Sequence, residues 1–191
     1  GPGGFPITNE VSENYNTIMY LAESPHAAGT LWAGSDDGLI HLTRDGGEHW
    51  QEITPKRAGD GMVNTIAISP HEPGKAYVAF TKYKYNDHAP IIFVTNDYGQ
   101  RWKRIDDSIP EGHWARVVRE DPEREGLLYA GTEMGLFFSI NGGDDWQKLH
   151  AGELPIVPIT DLRIHRGDLV VSTQGRSFWI LDDLSPLRQF E

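Results

Sequence analysis

The chain has 191 residues, of which 38% are hydrophobic and 24% charged. This length and composition are typical of a folded domain with a buried core and exclude wholesale disorder. The formal net charge of −11 argues against a nucleic-acid partner, because phosphate backbones are bound by basic surfaces.

The chain contains no cysteine, which excludes disulfides and thiolate chemistry but leaves the cellular compartment open. No apolar stretch approaches the roughly 18 residues that cross a bilayer, so membrane insertion is not expected. The opening Gly1-Pro2-Gly3-Gly4 resembles the remnant of a cleaved tag, and we expect the native N-terminus to lie elsewhere.

Three segments of the chain align without gaps, at residues 43–50, 95–102 and 139–146. Each has a hydroxyl residue, then Asp or Asn two positions on, Gly four on and Trp seven on. The Asp or Asn side chain can accept hydrogen bonds within its own turn, the glycine supplies a positive φ, and the tryptophan buries a large ring. The residues assigned these structural roles are Asp45, Gly47, Trp50, Asp97, Gly99, Trp102, Asn141, Gly143 and Trp146.

Short β-branched or aromatic runs bounded by Pro and Gly surround each of these turns and predict four strands per repeat. The repeat length is typical of a β-propeller blade. We therefore predict an all-β fold of about four antiparallel blades. The predicted blades are residues 15–54, 62–106, 113–150 and 158–191, with 1–14 as an N-terminal extension or closing strand.

The fourth repeat departs from the others. The sequence Asp182-Asp183-Leu184-Ser185-Pro186 stands where the turn motif would be, and a last strand is predicted at 187–190. Terminal repeats are often atypical in this way.

These motifs resemble the Asp-box (BNR) propellers, which include sialidases, two-propeller xyloglucanases and sortilin-type receptors. The tail from Gln174 to Arg188, with Glu120-Asp121-Pro122 and residues 127–136, resembles a group of large bacterial proteins described as sortilin-like or as "glycosyl hydrolase, BNR repeat". The resemblance covers the chain from about Tyr15 onward and implies an exported protein. That group often has His where this chain has Gln174.

Four blades are at the lower limit for a closed ring. We therefore expect the chain to be part of a larger ring, completed by further blades of the same protein, or a partial propeller that forms a homo-oligomer. An open arc would expose the apolar faces of its terminal blades.

We label the four strands of each repeat A to D in chain order. Ligand contacts are predicted on the face where the B–C and D–A loops open around the central channel of the propeller. The long segment 82–89 is the first choice, because added loop length on a rigid scaffold often carries function; a solvated insertion is the alternative. The predicted ligand-binding residues are Tyr83, Tyr85, Asp87, His88, His113, Trp114 and Arg176. Trp114 and Trp179 could each line the channel mouth or pack between blades.

A glycosidase would need two carboxylates flanking the scissile bond. The carboxylates on this face are Asp36, Asp37, Asp60, Asp87 and Glu133. Nothing in the sequence pairs any two of them, and the sialidase Phe/Tyr-Arg-Ile-Pro signature is absent. The candidate catalytic residues are Asp87, Glu133, Arg116 and Arg176, with structural salt bridges as the alternative role for the arginines.

No metal site or cofactor is predicted, because the oxygen-rich turns lack a calcium-loop pattern and the histidines lie on separate elements. We expect a non-catalytic module that binds a peptide, protein or glycan on its channel face. The alternatives are a portion of a sialidase- or xyloglucanase-like glycoside hydrolase, and a purely structural repeat scaffold.

Overall fold

A computed structural model describes residues 17–59, 61–82, 86–150, 152 and 154–190. It contains fifteen strands and one short helix. The first eight strands are β1 (Ile18–Glu23), β2 (Leu31–Ser35), β3 (Ile40–Thr43), β4 (Gln51–Glu52), β5 (Met62–Ile68), β6 (Ala76–Lys82), β7 (Asp87–Thr95) and β8 (Lys103–Arg104). The remaining elements are β9 (Ala115–Glu120), β10 (Leu128–Thr132), β11 (Gly135–Ser139), β12 (Gln147–Leu149), β13 (Ile159–His165), β14 (Asp168–Thr173), β15 (Phe178–Leu181) and helix α1 (Ser185–Arg188).

The strands form four antiparallel sheets, each made of consecutive strands in meander order. Sheets β1–β4, β5–β8 and β9–β12 have four strands, and β13–β15 has three. We call these sheets blades 1 to 4. The first strands of successive blades contact one another, as the inner strands of a propeller do. The predicted all-β propeller of about four blades is confirmed.

The predicted last strand at 187–190 is wrong. Helix α1 occupies Ser185–Arg188 instead, with Pro186 in its first turn, and blade 4 ends at β15 among the described residues. Proline favours the first turn of a helix because its fixed φ suits that position and its missing N–H costs nothing there. The Arg188 side chain then anchors the helix, donating from Nε to the buried Asp121 carboxylate at 3.0 Å.

The three predicted turns share one set of hydrogen bonds. In the first, the Thr43 hydroxyl donates to Asp45 Oδ1 at 2.7 Å and accepts the Gly47 N–H at 3.0 Å, while His49 N–H donates to Asp45 Oδ1 at 3.0 Å. The turns at 95–101 and 139–145 repeat the same three contacts. The amide and hydroxyl donors to Asp45, with the His49 N–H as the largest contribution, hold the pKa of that carboxyl below its usual range.

A further backbone bond ties each of these turns to the A–B turn of its own blade. Gly46, Tyr98 and Gly142 donate to the carbonyls of Gly29, Gly74 and Gly126, each at 2.9 Å. Blade 4 keeps this bond without the motif, since Leu184 N–H donates to Gly167 O at 2.8 Å.

Neighbouring blades are joined through the motif tryptophans. Trp102 of blade 2 donates its indole N–H to Ile53 O of blade 1 at 2.7 Å, and Trp146 of blade 3 donates to Ile105 O of blade 2 at 2.5 Å. Three apolar clusters fill the spaces between consecutive blades. Each of these tryptophans therefore docks its own blade on the blade before it.

The first and third motif tryptophans, Trp50 and Trp146, give a matched test of this contact. Trp146→Ala is expected to lower the free energy of unfolding by about 3–5 kcal/mol, the usual cost of truncating a buried large aromatic residue, because Trp146 is only 5% exposed. Trp50→Ala is expected to change it by less than about 1 kcal/mol in dilute protein, because Trp50 is 44% exposed.

Urea unfolding monitored by circular dichroism checks both values. Equal losses for the two variants would contradict the assignment of Trp146 as a joint between blades.

Candidate functional site

A cavity of about 300 Å³ opens where the inner strands of the blades begin. Its walls come from the start of β5, the end of β6, the start of β9 and the turn after β14, so blades 2, 3 and 4 all contribute. We call it the channel-mouth cavity. Its lining residues are Met62, Asn64, Thr81, Trp114, Arg116 and Gln174.

Arg116 and Glu133 form an ion pair at this cavity. Arg116 Nε donates to Glu133 Oε2 at 2.7 Å, and both side chains are partly buried. The Glu133 backbone N–H also donates to Trp114 O at 3.2 Å, which joins the β10–β11 turn to the start of β9. Two of the candidate catalytic residues are thus brought together, as partners of each other.

Trp114 packs against His88. The His88 ring lies against its indole, with centroids 4.8 Å apart and an interplanar angle of 33°. The Gly112 N–H donates to His88 O at 3.2 Å, so the segment before β9 is fixed on the start of β7. Of the predicted ligand-binding residues, Trp114 therefore lines the cavity, His88 contacts Trp114, and His113 precedes it in the chain. One face of the Trp114 ring is occupied by His88.

Asn64 gives the cavity a polar inner wall. Its amide nitrogen donates to Thr81 Oγ1 at 3.0 Å and to Ala115 O at 3.3 Å, and Thr81 Oγ1 donates back to Asn64 Oδ1 at 3.2 Å. The Thr65 hydroxyl donates to Arg116 O at 2.8 Å, which adds a second link between β5 and β9. These bonds fix the Arg116 backbone relative to Asn64.

Sequence reasoning missed Met62, Asn64, Thr81 and Gln174 as lining residues. The available signal was Asn64, since asparagine is depleted in strands and a polar residue in an inner strand needs local partners. The other three are ordinary strand or turn residues, and only the packing of three blades brings them together.

The other predicted site residues lie elsewhere. Asp87 and His88 belong to strand β7, not to a loop, and Asp87 Oδ1 accepts the Ala89 N–H at 3.0 Å. Arg176 lies in the exposed β14–β15 turn, where its carbonyl accepts the Trp179 indole N–H at 2.8 Å. Trp179 packs against the cluster between blades 3 and 4, not at the channel mouth. Tyr83, Tyr85 and Asp60 lie outside the described residues.

The carboxylates predicted on this face are engaged in separate local contacts. Asp36 Oδ1 accepts the Thr17 N–H at 2.9 Å, and Asp37 accepts the Ser35 hydroxyl. Glu133 is bound by Arg116. Within the described part of the chain, none of these contacts joins two carboxylates into a pair.

A second cavity of about 370 Å³ lies at the far ends of the inner strands. Arg119 spans it: Nε donates to Leu162 O at 3.0 Å, and an Nη donates to Asp161 Oδ1 at 2.9 Å. The same guanidinium lies 5.9 Å from the centroid of the Tyr20 ring. Arg119 of blade 3 therefore contacts blades 4 and 1, and its role there is to brace the channel.

One exposed group, Asp45, Glu48 and His49, has oxygen and nitrogen atoms close enough to share a metal ion. The hydrogen bonds of the first turn motif already engage the Asp45 carboxylate, and His49 Nδ1 lies 2.7 Å from its Oδ2.

Within the described residues, no helix is long and apolar enough to cross a membrane.

No family model matches the chain. Among curated proteins, the chain is 27% identical over 111 residues to an oligoxyloglucan-reducing end-specific xyloglucanase of Emericella nidulans, covering 55% of this chain and 13% of that protein. It is 27% identical over 154 residues to a xyloglucanase of a Paenibacillus species, covering 74% of this chain and 14% of that protein. The chain thus spans about one seventh of the length of these relatives.

Solved structures share the fold at low identity. YCF48 from Cyanidioschyzon merolae superposes with a TM-score of 0.66 at 17% identity, over 90% of this chain and 55% of that one. A YCF48 bound to D1 peptide gives 0.64 at 19%, over 88% and 51%. The GH74 enzyme of Niastella koreensis gives 0.67 at 16%, over 89% and 29%. The chain is therefore a propeller segment that resembles both YCF48 and xyloglucanase domains.

His113 makes the stability of this region depend on pH. Burial lowers the pKa of its imidazole, Nδ1 is buried without a hydrogen-bond partner among the described residues, and the ring packs edge-on against Phe137 at 5.4 Å. The folded state therefore favours the neutral ring, while the unfolded chain takes up a proton near pH 6.5. The contribution of His113 is fully present above that pH and is lost as the pH falls toward the folded pKa.

We expect the free energy of unfolding to fall between pH 7.5 and about 5.5, and His113→Gln to reduce this slope. Denaturant titrations at several pH values measure it, with His150→Gln, at an exposed histidine, as the control. An unchanged slope in His113→Gln would contradict the assignment.

Proposed function

We propose that the chain is a non-catalytic propeller module of the Asp-box type, which binds a short peptide segment at the channel-mouth cavity. The observation that carries this proposal is the chemistry of the cavity: amide side chains, an internally neutralised arginine and an apolar wall converge from three blades. Backbone amides of a peptide each offer one donor and one acceptor, which suits such a mixed polar lining.

The charge balance of the cavity favours peptide backbone over a strongly charged ligand. Arg116 is neutralised by Glu133, yet only its Nε is engaged there, so both Nη groups remain available as donors without a partner among the described residues. Gln174 supplies an amide donor and acceptor in the β14–β15 turn. These groups can bond carbonyls and N–H groups of an extended segment.

Met62 and Trp114 form the apolar part of the cavity. An apolar side chain of the bound peptide would pack there, and its burial would supply most of the affinity. The volume of about 300 Å³ suits one or two side chains with their backbone.

A glycan is less suited to this cavity. Sugar rings stack on an open aromatic face, whereas His88 already covers one face of Trp114. The YCF48 bound to D1 peptide gives independent support, because a protein with the same fold takes a peptide ligand.

The experiment starts from peptides selected on the 191-residue protein from a random displayed library. Their affinities are then measured by fluorescence anisotropy. Trp114→Ala is expected to weaken binding by about tenfold to a hundredfold, which corresponds to about 1.4–2.8 kcal/mol and is typical of a central aromatic contact. Arg116→Ala is expected to weaken it as well, since it removes the Nη donors.

The control is Arg163→Ala, which alters the second cavity and leaves the channel mouth intact. If Arg163→Ala weakened peptide binding as much as Trp114→Ala, or if Trp114→Ala bound the peptide as tightly as the wild type, the binding site would not be the channel-mouth cavity. A library that yields no binder, together with binding of xyloglucan oligosaccharides, would replace the peptide with a glycan.

The xyloglucanase relatives support a second candidate, a portion of a glycoside hydrolase. In that case Glu133 or Asp87 would be one of two required carboxylates, and the other would come from outside the described residues. Xyloglucan hydrolysis by the chain, abolished by Glu133→Gln or Asp87→Asn and retained in Asp161→Asn, would favour this candidate over the peptide-binding module.

A further inference from the structure

The contact between blades 1 and 2 and the contact between blades 2 and 3 share the same three parts. An indole N–H of one blade bonds an isoleucine carbonyl of the blade before it, as Trp102 does with Ile53 and Trp146 with Ile105. The motif glycine lies so close to the same isoleucine that an added Cβ would fall 2.6 Å from its Cδ1, at Gly99 and at Gly143 alike. An apolar cluster fills the remaining space.

Blade 1 has the corresponding tryptophan and glycine, but no other blade packs on them among the described residues. Trp50 is 44% exposed, and among the described residues no carbonyl accepts its indole N–H. A Cβ at Gly47 would meet only the ring of Trp50 itself, at 3.8 Å. Leu21 pairs with Ala33, so both side chains lie on the side of the sheet opposite to Trp32, which packs toward blade 2. Leu21 therefore points away from blade 2, and it is 58% exposed. We call this surface the blade 1 outer face.

The opposite end of the arc is open too. Phe178 is 75% exposed and Ile180 is 61% exposed on β15, while the alternate residues of the strand, Trp179 and Leu181, pack against blade 3. Ile180 pairs with Val170 of β14, which extends the same surface. We call this surface the blade 4 outer face.

We propose that the two outer faces bind each other between two copies of this chain, head to tail. Each blade has an upstream face, which is turned toward the preceding blade in the chain, and a downstream face, which is turned toward the following blade. Within the chain, the downstream face of one blade packs on the upstream face of the next. The blade 4 outer face is a downstream surface and the blade 1 outer face is an upstream one, so they are complementary in kind.

Two such contacts, related by a twofold axis, leave neither face exposed. The resulting assembly has eight blades, which lies within the usual range of propellers. The chain covers 55% and 51% of the two YCF48 chains, so it spans about half of each. Large apolar surfaces at both ends of an arc are otherwise a liability in solution.

The test measures the mass of the 191-residue protein by light scattering after size-exclusion chromatography, across the micromolar range. The wild type is expected to have twice the chain mass of 21.4 kDa. Leu21→Glu and Ile180→Glu each place a charge on one face and are expected to give monomers. Met134→Glu, at an exposed apolar residue away from both faces, is expected to stay dimeric.

Mixing the two charged variants separates head-to-tail pairing from other modes. A mixture of Leu21→Glu and Ile180→Glu retains one contact with both faces unaltered, so a fraction of heterodimer is expected, whereas each variant alone gives none. This recovery also shows that both variants are folded, and near-UV circular dichroism checks it directly.

Three results would overturn the proposal. A wild type that is monomeric at every concentration excludes the second copy. In that case, acrylamide quenching of Trp50 fluorescence is measured as the difference between the wild type and Trp50→Phe. Absence of quenching would mean that a segment of the same chain covers the blade 1 outer face. A dimer lost in Leu21→Glu but kept in Ile180→Glu indicates pairing of like faces. A dimer unaffected by either variant lies on another surface.

Discussion

The structure depends on one constraint: a blade is an amphipathic sheet with two faces, and each face must be covered by a neighbour. The chain meets this need at two successive contacts with the same joint, in which a tryptophan of blade 2 or blade 3 donates to the carbonyl of an isoleucine in the blade before it. Because the indole carries both a large apolar area and a single donor, it fixes distance and orientation together. The inner strands are placed as a consequence, and with them the walls of the channel. The Arg119 contacts to Leu162 and Asp161 reinforce that placement at the end of the channel opposite to the candidate site.

The channel-mouth cavity follows from this arrangement. No blade contains the site alone; Asn64, Arg116 and Gln174 come from three blades and meet because the inner strands converge. Their positions are held by backbone contacts, such as Thr65 Oγ1 to Arg116 O and Glu133 N–H to Trp114 O. Groups that are already held by such contacts cost less entropy to order around a ligand. Among the described residues of this face, Asp36, Asp37 and Glu133 are each engaged in a separate local contact.

Much of the fold could be predicted from the sequence because the evidence repeats. A turn motif with Asp45, Asp97 or Asn141 is a weak signal once and a strong one three times in register, and its hydrogen bonds were deducible from the residue types. The last strand was not predictable in the same way: Ser185-Pro186 can end a strand or begin a helix, and the buried partner that selects the helix, Asp121, is distant in sequence. The candidate site was predicted in part. Trp114 lines the cavity with the His88 ring against it, whereas Met62 and Thr81 become neighbours only through packing between blades, which leaves no local pattern.

A backbone bond from the segment after the third strand to the turn between the first two strands is present in all four blades, including the one whose turn motif is missing. It fixes one end of every blade, while the hairpins at the other end vary from the two-residue turn between Thr132 and Gly135 to the long hairpin of β6 and β7. One rim of the molecule thus has the same backbone contact in all four blades, whereas the hairpins of the other rim differ in length. Changes of length at the open rim leave the strand register behind them undisturbed, so new binding specificities can arise there at little cost to the fold.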